Sequence, residues 1–292
     1  PPHHPSLLSA FWRYNSDSSA VMTSTLRQQT GFEWETAAMR RVLALLSTIA
    51  VLAACSSTVT PGPRVSGSDA QPAAGGGTFI NQPVSAEIAN IEFLDADGKP
   101  VKLADFKDKT VVLTSFLTSC QEICPMVSAT LRDLVNQLGD QSDVEVLEIS
   151  VDSETDVPAR LKAYQALFGP KKWTMAGTTN ETELMAFWKF FGAAYEREEI
   201  SLEEAAGMPR DWQTGEMPTT DVTHPDVVYI IGPGLVWEWL DEGNPSPDDK
   251  TLPVDLKAYL TDEGLQNLAA PADPTWTAGA ILSALKDLGA VK

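Results

Sequence analysis

Thr110–Phe116 reads TVVLTSF, a strand-length run with no charged position and several β-branched residues. A strand that alternates apolar and polar residues can leave one face in water. A run like this one has to be covered on both faces, which places it in the interior of a sheet. The next segment constrains the chain further. Residues 117–124 form a short connection holding two cysteines. From Pro125 the apolar residues Met126, Ala129, Leu131, Leu134, Val135 and Leu138 recur at helical spacing, and Gly139 stops the run. Pro125 suits the first turn of a helix, where its missing N–H is not needed.

The same reasoning organises the rest. Residues 91–94 and 101–103 alternate around the turn sequence Asp95-Ala96-Asp97-Gly98-Lys99 and predict a β-hairpin. Strands are expected at 144–151, 173–176, 227–231 and 235–240. Helices are expected at 157–168, 181–191, 254–260 and 277–288. Strands alternating with helices, closed by an antiparallel hairpin, predict an α/β fold with a mixed central sheet. Residues 195–223 are long, polar and broken by Gly207, Pro209, Gly215 and Pro218, and they run into His224. A loop of that length in a compact domain is usually functional or disordered.

The N-terminal part carries an address. From Met39 the chain reads MRRVLALLSTIAVLAAC. Arg40 and Arg41 give a positive start, 42–54 is a short apolar run, and small residues precede Cys55. That is the pattern of a secretory signal. A membrane-spanning helix needs roughly 20 apolar residues, more than this run supplies. The segment resembles a bacterial lipoprotein signal with the lipobox Leu52-Ala53-Ala54-Cys55, which implies cleavage before Cys55 and lipid attachment to its thiol. The expected organisation is an over-extended N-terminus over 1–38, a signal over 39–54, a flexible tether over 55–83 and the folded domain over 84–292, with a C-terminal helical extension. The tether is inferred from the Ser, Thr, Pro and Gly content downstream of Cys55.

The chain is acidic, with a formal net charge of −19. Removing 1–54 takes away four arginines and three acidic residues and leaves −20. Such a surface repels phosphate backbones, so nucleic acid is excluded as a partner. The same trimming leaves His224 as the one histidine and reduces the soft metal ligands to Cys120, Cys124 and His224. Cys120 lies just past a central strand, and Cys124 sits at a helix start whose partial positive charge favours thiolate. Two sulfurs at this spacing can meet in a disulfide or hold one ion. Thiolate and imidazole suit copper, as Cu(I) or Cu(II), and also zinc. A structural zinc site normally closes with four protein ligands, and only three good candidates exist here. Outside the cytoplasm a plain Cys120–Cys124 disulfide beside an unrelated histidine is the alternative.

CQEICP after TVVLTSF resembles the SCO/SenC family of copper-binding assembly proteins. Supporting pieces are Ala96-Asp97-Gly98-Lys99, 103–109, the segment Ile149-Ser150-Val151-Asp152-Ser153-Glu154-Thr155-Asp156, Trp173, and His224 ahead of 227–231. Ser153, Thr223 and Gly232-Pro233-Gly234 depart from the family pattern, and none of these removes a ligand. The resemblance implies a thioredoxin-like fold with an N-terminal hairpin and an inserted histidine loop. It implies copper held by Cys120, Cys124 and His224, and delivery to the binuclear copper centre of cytochrome c oxidase, with oxidase subunit II or another extracytoplasmic cuproprotein as the partner. With the lipobox it implies a protein lipid-anchored on the extracytoplasmic face of the cell membrane. Two further readings stand beside this one. One is a thiol–disulfide oxidoreductase working through Cys120 and Cys124. The other is a thioredoxin-like binding module with a structural disulfide.

Overall fold

The computed structural model describes residues 71–72, 76–139, 143–169 and 172–292. The expectations for 1–38, for the signal 39–54 and for Cys55 lie outside the described residues. In chain order the main elements are β1 (Thr78–Pro83), β2 (Phe93–Asp95), β3 (Pro100–Val101), β4 (Thr110–Phe116), α1 (Cys124–Leu138), β5 (Val144–Ser150), α2 (Pro158–Leu167), β6 (Thr174–Gly177) and α3 (Glu181–Phe190). They continue with β7 (Glu196–Glu199), β8 (Thr220–Thr223), β9 (Val227–Gly232), β10 (Val236–Glu242), α4 (Val254–Tyr259), α5 (Asp262–Ala269) and α6 (Ala278–Asp287).

β4 is buried at every position, as its sequence demands. It pairs in parallel with β5 from Thr110↔Val144 to Phe116↔Ser150 and antiparallel with β9. β5 continues in parallel to β6, whose far side takes the hairpin β2–β3. On the other side β10 pairs with β9, and β1 with β10. The sheet is therefore mixed, with a parallel centre and antiparallel flanks, and the fold is the thioredoxin-like one expected. β10 alternates between buried and half-buried positions, so Trp237, Trp239 and Asp241 face inward. Helix α1 starts with Pro125 in its first turn and ends at Gly139, whose φ is 61°. Helix α6 packs against it.

Three boundaries differ from expectation. The sheet begins upstream of residue 84, because β1 lies within the stretch assigned to the tether. It covers the edge of β10 that would otherwise present unpaired backbone groups. At Gly77 the chain passes so close to the Trp239 ring and the Leu240 carbonyl that a Cβ would lie 2.5 Å from both, and its φ is +74°. The long segment 195–223 is not structureless. β7 and β8 close it as an antiparallel ribbon, and Leu202–Ala205 forms one helical turn inside it. Helix α5 has no counterpart among the expected helices. Gly264 disguises it, although the Thr261 side chain caps it by accepting from the Gly264 N–H and two acids stand in its first turn.

Candidate metal and thiol site

The topology brings the two halves of the site together. β9 runs antiparallel to β4, with Val228 opposite Thr114. The residues just before β9 therefore stand beside the residues just after β4. The Thr114 hydroxyl donates to the Val227 carbonyl at 2.9 Å and ties the two strand ends. His224 is on one arm, and Cys120 and Cys124 are on the other.

The ring of His224 is oriented by its Nδ1. That atom lies 3.2 Å from the Pro225 carbonyl and 3.1 Å from Ser115 Oγ. A carbonyl only accepts, so Nδ1 carries the proton and Nε2 keeps its lone pair. Nε2 faces Cys124 Sγ at 3.6 Å. Burial lowers the pKa of the imidazole, against smaller raising effects from the Pro225 carbonyl and Asp221. The neutral ring is the form that binds a metal.

The cysteines are not equivalent. Both are free thiols. Cys120 Sγ accepts from the backbone N–H of Ile123 at 3.4 Å and of Cys124 at 3.3 Å. Its pKa is lowered, chiefly by the hydrogen bond from the Cys124 side chain, with burial opposing and the backbone N–H groups assisting. Cys124 is fully buried as the first residue of α1, and burial pushes its pKa well above the usual thiol range. Cys120 is thus the sulfur of the pair that loses its proton more readily. The single Cys124 proton can point to Cys120 Sγ or to His224 Nε2.

Below the cysteine loop lies a polar network that the sequence did not single out as a site. Asp156 is buried on the loop after β5, and it receives hydrogen bonds from the Thr118 backbone N–H at 3.0 Å and from the Thr118 and Ser150 hydroxyls. Arg160 lies 3.6 Å from Asp156 and pairs with Asp211 at 2.5 Å, so it links the cysteine loop to the histidine segment. Trp212 stacks under Arg160, with the ring centroid 5.2 Å from the guanidinium carbon, and its Nε1 donates to the Thr118 carbonyl at 2.8 Å. Burial raises Asp156 to about 6, assisted by Asp152. The only sequence signal for this network was Asp156 within the family-like segment. Arg160 is 51 residues from Asp211 in the chain, and Trp212 is next to Asp211.

The mouth is a cleft of about 280 Å³. The cysteine loop, the histidine segment and residues Asn244, Glu263 and Asn267 of the C-terminal part line it. It is acidic. Burial raises the Glu122 pKa, and Glu263 and Asp221 add repulsion. Asp226 is raised to about 7 by burial, and its Oδ1 has no hydrogen-bond partner. Among the described residues no group of three or more His, Cys, Asp and Glu side chains is arranged, as it stands, to hold a metal ion. Cys124 and His224 are in contact, and Cys120 joins them through Cys124.

Comparison with known proteins converges on one family. The family model described as SCO1/SenC matches residues 82–235. The SCO1 protein homolog of Bacillus subtilis (strain 168) is 29% identical over 162 residues, which cover 54% of this chain and 75% of that protein. Among solved structures, BsSco is described as a member of the Sco family of cytochrome c oxidase assembly proteins. It is 25% identical, with a TM-score of 0.41, over 57% of this chain and 87% of that one. Bradyrhizobium japonicum ScoI, solved with copper bound, is 22% identical, with a TM-score of 0.40, over 62% of this chain and 99% of that one.

Proposed function

The chain belongs to the SCO1/SenC family, and from that premise we propose that it binds copper through Cys120, Cys124 and His224 and hands it to the binuclear copper centre of cytochrome c oxidase. The observation that carries this reading is the direction of His224. Its Nδ1 is engaged by Pro225 and Ser115, so its free Nε2 is presented to Cys124 Sγ at 3.6 Å. A dithiol reductant has no need of an imidazole aimed at its buried sulfur, whereas a soft metal site does. Two sulfurs and one nitrogen satisfy Cu(I), and Cu(II) takes an added oxygen ligand. Binding displaces the Cys124 proton and draws the three side chains inward, since they are not yet arranged around an ion.

The test is copper titration of the reduced full-length protein, with and without His224→Ala, read with oxidase assembly in cells at normal expression. Outer partners of a ligand are worth about 10 to 100-fold in metal affinity, so losing His224 itself should cost at least that. Wild-type copper affinity together with full assembly in the variant would remove His224 from the site. The oxidised protein, with Cys120 and Cys124 joined in a disulfide, is expected to take up no copper.

A second reading is favoured by the inequality of the cysteines. In a thiol–disulfide oxidoreductase the Cys120 thiolate attacks a target disulfide and releases one target thiolate. Cys124 then loses its proton, attacks Cys120 Sγ and releases the second target thiol. The protein is left with the Cys120–Cys124 disulfide, and an external dithiol must reduce it again. Unchanged function in the His224→Ala variant selects this reading. The lipobox supports anchoring of the protein through Cys55 on the extracytoplasmic face of the cell membrane. Cys55→Ala should abolish lipid labelling and release the protein from membranes.

A further inference from the structure

Beyond the residues matched by the family model, the chain between β10 and α6 folds over the cysteine loop. Three contacts join them. The Tyr259 hydroxyl donates to the Ser119 carbonyl at 2.7 Å. The Thr261 backbone N–H donates to the Gln121 carbonyl at 3.0 Å. Gly264, in the first turn of α5, packs so tightly that a Cβ there would lie 2.4 Å from the Gln121 carbonyl oxygen and 3.1 Å from Glu122 Cα. Both satisfied carbonyls belong to the loop that connects β4 to Cys124. Tyr259 is almost fully buried, so its hydroxyl is directed inward by packing as well as by the bond. The same segment supplies Asn244, Glu263 and Asn267 to the mouth of the cleft.

We propose that residues 244–276 act as a strap that sets the conformation of the cysteine loop, with Tyr259, Thr261 and Gly264 as its positioning residues and α5 as a wall of the site. The physical reason is the geometry around Cys120. Its sulfur is held by two successive backbone N–H groups, those of Ile123 and Cys124. Those groups stay aligned only while 119–122 keep their path, and the strap fixes that path at two carbonyls and one close contact. The strap therefore acts on the site through the loop. This inference deepens the copper reading and rests on it for the metal arm of its test.

The test uses full-length protein carrying Gly264→Ala, Tyr259→Phe or, as a control on the half-exposed face of α5, Leu265→Ala. Two quantities are read in each: the Cys120–Cys124 dithiol–disulfide equilibrium against glutathione, and copper affinity. Thermal unfolding is followed in parallel. Alanine is a better helix former than glycine, so helix propensity alone favours Gly264→Ala. Pushing the Gln121 carbonyl aside should instead weaken the N–H contacts that stabilise the reduced Cys120. We expect the equilibrium to move toward the disulfide by about tenfold for Gly264→Ala and about fivefold for Tyr259→Phe, which loses one hydrogen bond. Copper affinity should fall in the same order, and Leu265→Ala should leave both within about twofold. Folded variants with both quantities at wild-type values overturn the strap, and so does a loss of thermal stability without a shift in the equilibrium. An equally large shift in Leu265→Ala overturns it too. If the wild-type protein takes up no copper, the copper reading fails, while the glutathione equilibrium still decides the strap.

Discussion

The cysteine arm and the histidine arm meet at one cleft but are held by different means. The cysteine arm is fixed from below by Asp156 and Arg160, from the side by Trp212, and from above by Tyr259 and Thr261. Most of these groups are buried, and each satisfies a backbone or side-chain group of residues 118–121. The histidine arm is a two-stranded ribbon whose outer positions carry exposed acids; Arg197 ties its first strand to buried Asp152, and His224 itself is steadied by one hydroxyl and one adjacent carbonyl. A loop held by many buried contacts resists displacement, whereas one with few buried contacts opens at low free energy. The contrast locates the motion by which a metal ion would draw the site closed. In the copper reading the imidazole would then move further than the sulfurs.

The largest effect should come from the hub of the rigid arm. Arg160→Ala leaves Asp156 and Asp211 without their shared cation, and breaking a buried pair by removing one partner costs about 3–5 kcal/mol. Urea unfolding measures this, and a loss under about 1 kcal/mol would erase the contrast between the arms.

Next is Glu148, buried on β5. Ser128 donates to one of its oxygens, and the other has no partner. Burial raises its pKa to about 8 from an ordinary value of 4.5. The folded state therefore holds a proton that the unfolded state releases between those values. Its share of stability is fully present below about pH 4.5 and is lost as pH rises toward 8, by on the order of 4 kcal/mol. Glu148→Gln should abolish this slope and raise the unfolding midpoint at pH 8. A variant with the same pH profile as wild type would show that the carboxyl does not titrate in this window.

A smaller change is expected at Ser115, which steadies the histidine arm from the neighbouring strand. Ser115→Ala should lower copper affinity by about tenfold, the lower end of what an outer partner of a ligand contributes, with stability reduced by roughly 1 kcal/mol. Copper titration beside urea unfolding checks both. The smallest effect should come from the ribbon. Asp221→Asn, at an exposed position of β8, should change stability by under about 0.5 kcal/mol. A loss comparable to that of Arg160→Ala would show that the histidine arm is as tightly held as the other.

Much of this molecule is legible in its sequence because the signals are local. TVVLTSF announces a covered strand, Pro125 and Gly139 bracket a helix, and strands alternating with helices announce a mixed sheet. The cysteine pair is legible for the same reason, since both residues lie within one strand–loop–helix unit. His224 is marked by its position before a strand and by its family resemblance. Thr78–Pro83 escapes because it lies beyond a Gly-rich stretch, and only its partner β10 makes it a strand. Asp262–Ala269 escapes because Gly264 reads as a helix breaker until the loop packed against it is seen.

The order of elements, the acidic charge, the three soft side chains and the strand that must lie inside are all properties of the sequence. Each depends on residues close together in the chain or on composition. Only packing makes Nε2 rather than Nδ1 of His224 face Cys124, and makes Cys120 rather than Cys124 the more acidic thiol. Only packing joins Asp156 to Asp211 through Arg160, and closes Tyr259 and Thr261 over Ser119 and Gln121. These are matters of which donor finds which acceptor across the fold. Burial and hydrogen bonding set them, and neither exists until distant segments have come together.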